Sequence, residues 1–128
     1  EIDRRVLPGE EGRAVYNQVI KFVAERLGSD DLEKVIHDEP YSLSMALGDE
    51  NNGELAARLQ ESAKTVFPDS DQVGVPYGTD ASVISSFGVP AVVFGPGSID
   101  QAHTADEWLE ISQLEQASEI LFRFLKSW

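Results

Sequence analysis

Apolar residues fall along this chain in two rhythms. Val15, Val19, Phe22, Val23 and Leu27 recur three or four positions apart, which predicts a helix with one apolar stripe. Its start is the run Pro8-Gly9-Glu10-Glu11 and its stop is Gly28; carboxylates in the first turn suit the positive end of a helix, and glycine suits its end. Before it, residues 1–7 are rich in Ile, Val and Leu and predict a strand. After it, Tyr41, Leu43, Met45 and Leu47 alternate with small or polar residues, the period-two pattern of a half-buried strand.

The run Gly48-Asp49-Glu50-Asn51-Asn52-Gly53 carries no apolar side chain and reads as a linker between two domains. Beyond it, Leu55, Leu59, Ala63 and Val66 mark a second helix, ended by Pro68, and 69–77 is a loop with at most a short strand. Residues 80–87 form a short helix stopped at Gly88, and 89–94 is continuously apolar, as in a strand covered on both faces. Ser112-Gln113-Leu114-Glu115 has the form of a capping box, and Leu114, Ala117, Leu121, Phe124 and Leu125 stripe the last helix. Residues 1–48 thus read β-α-β and 49–128 read α-α-β-loop-α, an α/β class.

Composition narrows the partners. The 128 residues carry a formal net charge of −13, which argues against nucleic acid or an anionic membrane as partner, since phosphate binding needs a basic face. No apolar run nears the roughly 20 residues that cross a bilayer, and no secretory signal opens the chain. There is no cysteine, so disulfides and thiolate chemistry are absent; a cytoplasmic location is expected. The first residue is Glu1, inside an apolar stretch, and a longer polypeptide is the expectation.

The chemistry concentrates in 95–107. Gly95-Pro96-Gly97 fixes an irregular backbone after the apolar run, and Ser98-Ile99-Asp100-Gln101-Ala102 leads to His103, with Asp106 and Glu107 close behind. Loops at the carboxyl ends of strands face ligand sites in open α/β sheets, and either carboxylate could orient the imidazole. The bland alternative, a hydrogen-bonded surface or core histidine, stays open. The second histidine, His37, sits beside Asp38 and Glu39 and reads as solvated. One histidine does not make a zinc site, which takes three protein ligands; there is no GxSxG elbow and no phosphate-binding glycine loop. Arg4 and Arg5 could be an exposed pair tied to nearby glutamates, or one of them could grip a carboxylate through its planar fork.

Ile2-Asp3-Arg4-Arg5-Val6-Leu7-Pro8-Gly9, Gly78-Thr79-Asp80-Ala81 and the run from Gly95 through His103 to Asp106-Glu107 together resemble a known family. It is the acetylornithine deacetylase, succinyl-diaminopimelate desuccinylase, aminoacylase and carboxypeptidase G group of co-catalytic zinc hydrolases, and the likeness is to its C-terminal portion. The resemblance implies that 1–48 is the second half of a β-α-β-β-α-β lid through which the whole protein dimerises. It implies that 49–128 is the C-terminal segment of an α/β catalytic domain. His103 would be a metal ligand; Arg5, Gly78, Thr79, Gly95, Gly97 and Ser98 would bind substrate; Asp80 and Glu107 would orient or support. Two zinc ions, or cobalt in their place, would serve a reaction that strips the acyl group from an N-acyl amino acid or cleaves a dipeptide. The other metal ligands and the general base match nothing in this chain, so these residues alone are expected to be inactive. The competing class is a non-enzymatic dimerisation or small-molecule-binding module.

Overall fold

A computed structural model describes residues 2–128 and contains five helices among them: α1 (Gly12–Arg26), α2 (Ser29–Leu32), α3 (Gly53–Lys64), α4 (Asp80–Ser86) and α5 (Ile111–Lys126). The chain divides into two compact units, Glu1–Gly48 with Pro76–Val89, and Asp49–Val75 with Pro90–Trp128.

In the first unit α1 begins one residue after the acidic run. Glu11 is its N-cap, and the carboxylate accepts from Arg13 N (2.9 Å) and Ala14 N (2.7 Å), so two of the four open N–H groups are satisfied. Glu10 stays outside the helix. It takes both guanidinium nitrogens of Arg4 (3.0 and 2.9 Å) and the Leu7 N–H (2.8 Å), and the Arg4 bonds first, then that of Leu7, hold its carboxyl below the usual range. The helix ends at Arg26 with Leu27 extended, and Gly28 serves instead as N-cap of α2, a turn that the sequence pattern does not announce. Residues 38–43 lie along the start of α1: Arg13 pairs with Glu39, Tyr16 Oη donates to the Asp38 carbonyl at 2.9 Å, and Leu43 lies against Gly12.

Short α4 belongs to the same unit. Thr79 is its N-cap, with Oγ1 accepting from Ala81 N at 3.3 Å. Gly88, at φ +80, ends the helix in the left-handed conformation that glycine adopts without strain, as the sequence predicts.

In the second unit α3 packs on α5. Leu59, Ala63 and Ile120 form the buried cluster, joined by Val66, Val92 and Phe124. The core is thin: among the described residues no large side chain is fully buried. Arg58 stacks on the Trp128 ring (4.1 Å to the centroid) and donates to the Ser127 carbonyl, and Arg123 donates to Thr65 Oγ1 at 2.9 Å, fastening the end of α5 to α3. Ile111, Leu114, Leu121 and Leu125 leave a second apolar stripe of α5 exposed.

The α/β expectation fails: among the described residues there is no strand and no sheet. The segments expected as strands, from residue 2 to 7 (Glu1 lies outside the described residues), 41–47 and 89–94, carry neither helix nor ladder. An apolar segment becomes a strand only when a neighbour takes its N–H and C=O groups. In 89–94 the Ala91 N–H goes instead to a side chain, Asn52 Oδ1, at 2.8 Å. The run expected to be covered on both faces is also partly open, with Val89 54 % and Val93 49 % exposed. The capping box fails too. α5 starts at Ile111 with Glu110 as N-cap and no side-chain cap, so Ser112 lies inside the helix.

Candidate functional site

The site residues expected from the sequence are divided between the units. Arg5 and Gly78, Thr79 and Asp80 belong to the first; Gly95, Gly97, Ser98, His103 and Glu107 belong to the second.

In the first unit the Arg5 guanidinium is exposed and pairs with Asp3 at 2.9 Å. An ion pair this open to water holds weakly, so a carboxylate ligand could replace Asp3 at small cost. Arg4, by contrast, is already committed to Glu10. Asp80 is the first residue of α4, where its charge suits the helix dipole, and Gly78 precedes the Thr79 cap.

In the second unit the loop after residue 94 is held at both ends by side chains. At its start Gly97, at φ +100, donates its N–H to Gln113 Oε1 of α5 at 3.0 Å. A Cβ at Gly97 would sit 3.4 Å from Leu109 Cδ1, and a side chain at that φ would be strained in any case. Ser98 Oγ accepts from Asp100 N at 3.3 Å, and tight turns follow, with Gln101 N bonded to the Ser98 carbonyl and Ala102 N to that of Ile99. The turns deliver His103 at φ +62, the single positive-φ residue other than glycine among those described. Its backbone N–H donates to Glu107 Oε2 at 3.1 Å. The expected bond from a carboxylate to the imidazole is therefore not the one formed; Glu107 holds the main chain of His103.

Two residues important to this geometry escape a motif reading. Gln113, expected within the capping box, bonds Gly97. Asn52, placed in the linker, is 4 % exposed and ties the start of α3 to Ala91, four residues before Gly95. An asparagine immediately before a helical stripe is the signal that could have raised it.

Comparison with known proteins gives the arrangement a context. Residues 8–127 match the family described as Peptidase family M20/M25/M40. The chain belongs to this family. Among relatives, an N-acetyl-L-citrulline deacetylase of Xanthomonas campestris pv. campestris is 37 % identical over 75 residues, 54 % of this chain and 20 % of the relative. An acetylornithine deacetylase of Buchnera aphidicola is 39 % identical over 51 residues, 40 % of this chain and 13 % of the relative. A succinyl-diaminopimelate desuccinylase of Corynebacterium glutamicum is 29 % identical over 113 residues, 85 % of this chain and 28 % of the relative. The chain thus spans between about an eighth and little more than a quarter of these relatives' lengths. No solved structure matches it significantly.

The family resemblance implies zinc, and the donor set can be compared with that demand. Among the described residues no group of three or more His, Cys, Asp or Glu side chains is placed to hold a metal ion, and His103 is exposed, with its adjoining Glu107 turned to the main chain. A zinc centre does not fit within these residues alone. No described helix is long and apolar enough to cross a membrane.

Proposed function

We propose that these residues work within a longer polypeptide as part of an amidohydrolase that removes the acyl group from an N-acyl amino acid. The observation that carries the proposal is the family match across 8–127, together with relatives named as deacetylases and a desuccinylase. Each of those names describes hydrolysis of an amide that joins an acyl group to an amine. Products of such a reaction are a carboxylate and a free amine, with water as the second reactant.

In this reading Arg5 grips the substrate's carboxylate. Its guanidinium offers two parallel N–H groups, a geometry that a carboxylate matches and an ammonium does not reproduce. Asp3 holds the fork in waiting and is displaced as substrate enters. The loop of Gly95, Gly97 and Ser98 and the Gly78-Thr79 turn offer main-chain and small polar groups that can approach a ligand closely. His103 supplies an imidazole, and the remaining chemistry belongs to residues outside these 128. The lid and catalytic assignments of 1–48 and 49–128, dimerisation through the lid and a cytoplasmic location are parts of the same proposal.

Hydrolysis of N-acetyl amino acids by the full-length protein, followed by release of free amine, tests it. Arg5→Lys is expected to raise KM far more than it lowers kcat, and to narrow the preference for an N-acetyl amino acid over its carboxamide. A protein that cleaves no N-acyl amino acid would instead support the binding-module class.

A further inference from the structure

We propose that Glu107 is a positioning residue for His103, holding its main chain in the left-handed conformation and so fixing where the imidazole points. The inference rests on the proposed role of His103 and adds the residue through which that role is kept.

Three observations carry it. His103 sits at φ +62, a region that residues with a Cβ enter rarely and leave readily unless their surroundings fix them. Its N–H is bonded by the Glu107 carboxylate at 3.1 Å, a charge-assisted bond, and among the described residues Glu107 makes no ion pair that would compete for that carboxylate. The loop's start is fixed independently through Gln113 and Gly97, and Thr104 closes a turn across His103 by donating its N–H and Oγ1 to the Gln101 carbonyl, so the Glu107 bond is the one that ties this turn to the segment beyond it.

Relaxation of His103 to negative φ would move its Cβ, and with it the whole ring, to a different side of the chain. The ring is exposed and lies on a loop, so no surrounding core would return it. Glu107 is therefore close to the reacting side chain without being a catalytic residue. Its task can be done by any acceptor of the same reach, whatever its charge.

That last point makes the inference testable. In the 15N-labelled chain, His103 should give the strong intraresidue amide-to-Hα Overhauser effect of a positive φ. Glu107→Ala should abolish it while amides in α3 and α5 keep their positions, and Glu107→Gln, which retains an acceptor oxygen, should preserve it. Were Glu107→Ala not to fold, Glu107→Asp provides the same reading, because the charge stays and the reach is one carbon shorter. Persistence of the effect in the Ala or Asp variant, or its loss in the Gln variant, overturns the proposal.

The functional readout separates this inference from the reading it rests on. In full-length protein acting on an N-acetyl amino acid, Glu107→Ala should lower kcat about 10- to 100-fold with little change in KM, the scale expected for a misplaced reacting group. Glu107→Gln should restore most of it. If His103→Ala abolishes turnover and Glu107→Ala leaves kcat unchanged, the positioning role is wrong and the functional reading stands. If His103→Ala is without effect, the functional reading fails, and the Overhauser result still decides what Glu107 does.

Discussion

Replacing Asn52 by alanine should destabilise the α3–α5 unit far more than its place in a polar linker suggests. Asn52 is 4 % exposed, and its Oδ1 accepts the N–H of Ala91, itself 9 % exposed, at 2.8 Å. The side chain makes no capping bond to α3, so the cost comes from the link to Ala91 and not from a lost cap. A buried main-chain N–H left without an acceptor costs about 1–3 kcal/mol. With a urea dependence of about 1–3 kcal/mol per molar for a small protein, a loss near the middle of that range lowers the midpoint by about 1 M. The assay is well matched to the unit, because both tryptophans, Trp108 and Trp128, lie in it. Their fluorescence during urea unfolding reports that unit, and the exposed neighbour Asn51, changed to alanine, is the control and should stay within about 0.5 kcal/mol. If Asn52→Ala unfolds within the same limit as the control, the bond to Ala91 does not hold the 89–94 segment, and the reasoning is wrong.

Ile120→Ala should also lower the tryptophan-monitored midpoint. Ile120 is 5 % exposed against Leu59 and Ala63, and a truncation of this kind costs about 2–5 kcal/mol, with the low end expected in so thin a core. Acidification should loosen the turn that leads into α1. The folded pKa of Glu10 lies below 4.5, so its stabilisation is fully present above that value and disappears as pH falls through the lowered one. The Leu7 amide resonance should follow that titration and lose its pH dependence in Glu10→Gln; a Leu7 amide indifferent to both would contradict the assignment. Calorimetric titration of the 128 residues with zinc should give no stoichiometric, tight site, and His103→Ala should leave the isotherm unchanged, since no described cluster is placed to bind the ion.

Local signals proved readable and partnered ones did not. The stripes through Val15, Leu59 and Ala117, and the short run ended by Gly88, predict helices because side chains three and four apart report a helix by themselves. Residues 41–47 and 89–94 have strand-like composition, yet pairing depends on a neighbouring segment's free N–H and C=O groups, which composition does not encode. The same limit governs the site. The glycines and proline at 95–97 mark an irregular loop and His103 stands out beside Asp106 and Glu107, but residue types do not reveal the sign of φ at His103. Nor do they reveal that Glu107 bonds the main chain instead of the ring. Ser112 shows the reverse error, a motif whose helix in fact has its N-cap two residues earlier, at Glu110.

The central question is whether His103 serves an amide-cleaving site. The most direct measurement is kcat for hydrolysis of an N-acetyl amino acid by full-length protein and by its His103→Ala variant, with circular dichroism to confirm equal folding. A loss of about 100-fold or more, the scale at which removing one essential group acts, is the result predicted. An equally folded variant with unchanged kcat would contradict it.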